Sequence, residues 1–292
     1  MQTGCVICSF SEISIMDVLL LISIASILGY LGGQLIAKIK IPTIVGCVII
    51  GLILGRSLTN FITSADAFKL NIITTVALSI MGFGIGCELD IATLKKMGKA
   101  IGFITILEAF GAFFLVSISI ILLTKNIPLG LLLGAISSAT AAAGTVDVMQ
   151  EYKASGPLTK ITYAVIGLDD GIGLIIYGFA FAISKKIISQ DIETSSLLLI
   201  LEPLKELIGS IALGIVLGIV LTIVTKRLKS TEETLFFALM FIFLCGGLCN
   251  QFNLSLLMSN MVMGITVVNL NATIAKRLNR SMTDLNMTIF VF

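Results

Sequence analysis

Long uncharged apolar runs, separated by short clusters of charge, dominate the pattern of this chain. A helix needs about 20 apolar residues to cross the hydrocarbon core of a bilayer. Runs of that kind predict spans at 18–37, 41–55, 70–87, 100–124 (interrupted by Glu108), 126–146, 161–184 (with Asp169 and Asp170 inside it) and 207–225, the second of them short. Residues 234–275 carry no charge, enough for two helices joined at the polar turn Cys249-Asn250-Gln251-Phe252-Asn253. A tenth span begins at Met287, and the sequence stops at Phe292.

Lys and Arg set the orientation of such a series, because cytoplasmic loops carry the excess. Connections after odd-numbered spans hold 13 basic residues, among them Lys95, Lys96, Lys99, Lys226 and Arg227, against six after even-numbered spans. The expected topology puts the odd connections in the cytoplasm and the N-terminus outside, in a cell's inner (plasma) membrane. No Lys or Arg precedes Lys38, so the basic n-region of a secretory signal peptide is not expected. The stretch before Met16 is unlike the rest, and translation starts at either Met1 or Met16.

Composition narrows the class further. Over 292 residues, 57% are hydrophobic and 12% charged, with a mean hydropathy of +1.10. Soluble domains carry about 25% charged residues, so this chain is too poor in charge to cover a surface in water. The expected fold is an all-α polytopic membrane protein with about nine complete spans. Basic residues are scattered, with no stripe for nucleic acid. Histidine is absent, which removes imidazole bases and His-ligated metal sites, and no enzyme, cofactor or resident metal is expected. Cys47, Cys87, Cys245 and Cys249 lie in apolar stretches, while Cys5 and Cys8 form an isolated C-x-x-C read as a tail.

Ionisable side chains inside a span cost roughly 2.5–3.5 kcal/mol on insertion scales, so each asks for a reason. Asp169 and Asp170 sit inside the sixth run, followed by Gly171 and Gly173. Neighbours on a helix point about 100° apart, so one acid can meet a partner while the other faces a water-filled cavity. Removing a carboxylate from water favours its protonated form, and carboxylate oxygen also suits hard cations. Such a group holds a proton or a cation, one excluding the other. The alternative is a structural salt bridge, or a loop in place of the helix.

The fifth run contains nine consecutive small residues, Ser137 to Thr145. By itself this run favours close helix packing over a discontinuous helix whose freed carbonyls and hydroxyls line an ion site. No proline breaks it, because Pro42, Pro128, Pro157 and Pro203 fall at span borders. Glu108 within the fourth run and Asp147 after the small residues are candidates for the ion path; the alternatives are a structural partner and an interfacial residue. Glu88 and Asp90, beside Lys95 and Lys96, read as interfacial. Cys245 and Cys249 share a helical face, a weak soft-metal pair.

Four segments in register resemble the monovalent cation:proton antiporter (sodium/hydrogen exchanger) family. Ile41-Pro42-Thr43-Ile44-Val45-Gly46, ending in Gly51-Leu52-Ile53-Leu54-Gly55, is similar to its short early helix. Gly86-Cys87-Glu88-Leu89 is similar to its helix-ending pattern. Ala139-Thr140 through Thr145-Val146, then Gln150-Glu151, is similar to its unwound crossing helix. Gly167-Leu168-Asp169-Asp170-Gly171 resembles the paired-aspartate motif of the electrogenic branch, where the electroneutral branch has Asn-Asp.

The resemblance implies an inverted-repeat fold of panel, core and linker. Panel helices would lie in 1–95, the first half of the core in 96–190, a linker helix in 191–229 and further panel helices in 230–292. It implies Asp170 as the proton and cation carrier, Asp169 as its partner, and Thr140 and Thr145 beside them. Na⁺ or K⁺ and H⁺ would be the transported ions, and a homodimer through the panel the expected assembly. Family members have further helices, including a second crossing helix and a Lys paired with the first aspartate, so the chain is expected to be the N-terminal part of a longer antiporter. The rivals are a carrier for another solute on the same fold, although every Arg here lies in a loop, and a non-transporting scaffold or inactive fragment.

Overall fold

The computed structural model describes residues 18–55, 58–59, 61–62, 64–189, 196–228, 230–275 and 278. Among these, the regular elements are helices: α1 Val18–Ala37, α2 Thr43–Leu54, α3 Ser64–Glu88, α4 Ile91–Thr124, α5 Ile127–Ser137, α6 Ala142–Glu151, α7 Pro157–Ser189, α8 Ser196–Thr225, α9 Thr231–Phe252 and α10 Leu256–Leu270. The tenth span expected at Met287, the Cys5–Cys8 pair and Met16 lie outside the described residues.

Six described helices, α1, α3, α4, α7, α8 and α9, are long and apolar enough to cross a membrane. The expected nine spans are not reached by length, because α2, α5 and α10 are shorter. With 12 residues, α2 rises about 18 Å against a hydrocarbon core of about 30 Å. The outward faces are apolar, as lipid contact requires: Leu115, Leu122 and Leu123 of α4 are exposed.

Local chemistry places the starts of α5, α9 and α10. Asn126 accepts the Leu129 N–H and opens α5, with Pro128 in its first turn. Ser230 accepts the Glu232 N–H at the start of α9, where Glu232 and Glu233 complement the helix dipole. The polar turn lies slightly later than expected. Helix α9 runs on through Phe252, and Asn253 closes it in the left-handed conformation (φ 52°), a backbone Asn tolerates. Ser255 then caps α10 by accepting the Met258 N–H. The seventh span also extends further back than its apolar run, since α8 begins at Ser196 and holds Pro203 inside it rather than at a border. Gly178 of α7 makes room there: a Cβ at Gly178 would sit 2.6 Å from Pro203 Cγ.

The described residues divide into two compact units, one up to Thr74 and one from Thr75 on. In the first, α1 packs on α2. In the second, α7 packs against α4, α5, α8 and α10, and α10 packs against α8 and α9. Helices α3 and α10 approach backbone to backbone. A Cβ at Gly82 would stand 2.8 Å from the Leu257 carbonyl oxygen, and one at Gly86 or Gly264 would collide with the carbonyls of Met261 or Phe83. Small residues permit such crossings in a membrane, where van der Waals packing supplies much of the association energy.

Candidate functional site

The fifth apolar run is not one helix. Helix α5 ends at Ser137 and α6 starts at Ala142, so Ser138 to Ala141 lie between two helices. Taken alone, the small residues favoured continuous packing. The break instead follows the unwound-helix resemblance, and its physical reason lies on the facing helix. Thr140 directs both its backbone N–H (2.5 Å) and its hydroxyl (2.7 Å) to Oδ2 of Asp169. A donor freed by unwinding needs an acceptor where there is no water, and this carboxylate supplies it.

Small side chains bring the break onto α7. A Cβ at Gly173 would be 3.0 Å from Ala139 Cβ, and below this contact Ala109, Ala135, Ile176 and Ala180 form an apolar cluster between α4, α5 and α7. Asp169 is fully buried, and its other oxygen, Oδ1, is buried without a hydrogen-bond partner among the described residues. Asp170 is half-buried. Both lie within helix α7, so the loop alternative does not hold, and neither makes a salt bridge to a described residue.

The other expected residues are spread around this pair. Glu108 is half-buried on α4. Thr145, in the first turn of α6, is exposed and takes no part in the Thr140–Asp169 bond. Asp147 is half-buried on α6, one turn before Glu151. Just after α3, Asp90 meets Lys160 at 3.9 Å, a partner other than the Lys95 and Lys96 beside it in sequence. Among the described residues, no three His, Cys, Asp or Glu side chains gather as a metal would require.

Sequence reading missed two features. Asn269 of α10 accepts the Ile91 N–H at the start of α4 and donates toward the Leu89 carbonyl, tying α10 to the α3–α4 junction. Asn260 is fully buried, with its Oδ1 lacking a partner among the described residues. A polar residue in an apolar run was the available signal for both, but nothing in the run tells which neighbour it meets.

The family described as "Sodium/hydrogen exchanger, transmembrane" matches residues 21–292. The chain belongs to the sodium/hydrogen exchanger family. Membership of this transporter family, together with the apolar helices, makes it a multi-pass membrane protein of the antiporter class. No curated protein matches its sequence. Among solved structures, the sodium proton antiporter MjNhaP1 from Methanocaldococcus jannaschii superposes with a TM-score of 0.73 at 20% identity, over 95% of this chain and 68% of that one. At that identity the likeness speaks for the exchanger fold.

Proposed function

We propose that this exchanger family member trades a monovalent cation, Na⁺ in preference to K⁺, for H⁺ by alternating access, with Asp170 as the shared carrier. The observation that carries the reading is the bond from Thr140 to Asp169. It commits one aspartate of the pair to holding the helix break against α7. The adjacent Asp170, turned about 100° around the helix, is only half-buried and has no recorded ion partner among the described residues. One acid is thereby structural and the other exchangeable. Thr140, and Thr145 beyond it, would flank the carrier, with Glu108 and Asp147 along the path.

The paired aspartates favour the electrogenic branch. In this scheme the residues of 96–190 form half of a mobile core, those of 1–95 and 230–292 contribute to the panel, and 191–229 supply the linker. A homodimer through the panel, in the plasma membrane with the N-terminus outside, completes the proposal. No cofactor takes part, because the transported ions are themselves the ligands of the carboxylate.

Proteoliposomes holding a pH-sensitive dye provide the test. Addition of Na⁺, and more weakly K⁺, should dissipate an imposed pH gradient. Asp170→Asn should abolish that response while the protein stays in the membrane. Retained exchange in Asp170→Asn would place the carrier elsewhere.

A further inference from the structure

A cavity of about 580 Å³ opens between α7, α8 and the turn that follows α9. Its α7 wall is formed by Leu174, Tyr177 and Phe181. These lie four, seven and eleven residues after Asp170, the spacing of one helical stripe. Leu174 begins about 6 Å along the axis from Asp170. The α7 wall of the cavity therefore lies on the helical flank that carries the half-buried Asp170, toward the C-terminal end of α7. Opposite this stripe are Lys205 and Glu206 of α8 and Asn253 of the turn.

Glu206 has an unusual position for a carboxylate beside a membrane span. It is half-buried, and the recorded bond at this residue goes to its backbone, where the Ser210 hydroxyl donates to the carbonyl. Its carboxylate has no hydrogen-bond or ion partner among the described residues. Lys205 is exposed and sits on the same wall. An unneutralised carboxylate in a low-dielectric recess concentrates counter-ions there, and a neighbouring ammonium opposes it.

We infer that this cavity is the ion vestibule on the α7 C-terminal side of Asp170, and that Glu206 recruits the cation into it. The inference rests on the exchanger reading and adds a residue that sets apparent affinity. Glu206 raises the local cation concentration above the carrier, Lys205 lowers it, and their balance tunes the KM for Na⁺.

Two experiments test this on the full chain. In proteoliposomes, Glu206→Gln should raise the KM for Na⁺ by roughly threefold or more and Lys205→Gln should lower it, both changes falling on KM rather than kcat. Glu206→Asp should restore affinity, and both shifts should shrink at high ionic strength as the charges are screened. Shifts of the same sign, or none, would overturn the assignment, since a packing role for either residue has no charge-dependent sign. The second experiment does not depend on transport. In purified protein, Tyr177→Cys and Leu174→Cys should react with water-soluble thiosulfonates above the wild-type background, faster with a cationic reagent than an anionic one. Glu206→Gln should reduce that preference. Absence of reaction at both positions, or a preference that ignores Glu206, would also overturn it. Charge-selective labelling in a chain that shows no Na⁺/H⁺ exchange would uphold the vestibule and sink the exchanger reading instead.

Discussion

Thr140 gives both of its donors to a single oxygen of Asp169, the backbone N–H at 2.5 Å and the hydroxyl at 2.7 Å. The two residues are 29 positions apart, on the α5–α6 break and on α7. Their bond joins the unwound segment to the helix that carries the second aspartate, so the break and the acid pair form one polar unit inside an apolar bundle.

Removing the hydroxyl should weaken that unit measurably. A hydrogen bond to a charged group contributes about 1.5–3 kcal/mol. Thr140→Val should therefore lower the unfolding temperature of the purified protein, while Thr140→Ser keeps the donor and stays near wild type. Equal stability of all three chains would mean that the hydroxyl is dispensable to the break.

The two aspartates should respond differently to amidation. Asp169→Asn places an amide group where the buried Oδ1 has no described partner, and an unsatisfied buried polar group costs about 1–3 kcal/mol. A clear loss of thermal stability is expected for Asp169→Asn and a small change for the half-buried Asp170→Asn. Parallel melts in one detergent decide it; the reverse order would exchange the structural and carrier assignments.

Acid should compete with the cation. If one carboxylate holds either ion, its protonated form binds no Na⁺, so affinity is full above the carboxyl pKa and falls below it. The apparent Kd should then rise about tenfold for each pH unit below that pKa, as for any ligand group that must be deprotonated. Calorimetric titration of Na⁺ across a pH series checks the slope, and a Kd independent of pH would remove the shared-site mechanism.

The α3–α10 crossing should tolerate no side chain. A Cβ at Gly86 or Gly264 would meet a backbone carbonyl, which cannot step aside as a side chain can. Overpacking of this kind costs about 1–3 kcal/mol, so Gly86→Ala and Gly264→Ala should reduce folded yield and melting temperature. Gly111 of α4 has open space around its Cβ position. Gly111→Ala should leave stability unchanged or raise it by up to about 1 kcal/mol, the helix preference of Ala over Gly. A matching loss at Gly111 would mean that the close approach is not the cause.

Much of the architecture was legible along the chain because its signals are local. Apolar length placed α1 and α2 within two residues of their observed bounds and the C-terminal ends of α3 and α4 within one, while the charged starts of α3 and α4 lie outside the apolar runs. Asn126, Ser230 and Ser255 sit at the helix starts they favour. The errors arose where a local rule met a partner from elsewhere. Pro203 lies inside α8 because Gly178 on another helix leaves room for its ring. The small residues around Thr140 read as packing because their propensity is indifferent to the break, and an acceptor 29 residues away stabilises the unwound form.

The sequence by itself determined the membrane class, the helical content, the absence of imidazole chemistry and the aspartate pair, since hydropathy and residue inventory need no third dimension. It also carried the motifs of the exchanger family. Only the tertiary structure decided which aspartate is sealed against Thr140 and which stays half-open, and that Glu206 shares a cavity with the stripe above Asp170. Those distinctions depend on helix rotation and on which faces pack together. Adjacent residues are equivalent in composition and hydropathy, but they differ by a quarter-turn or more in what they touch.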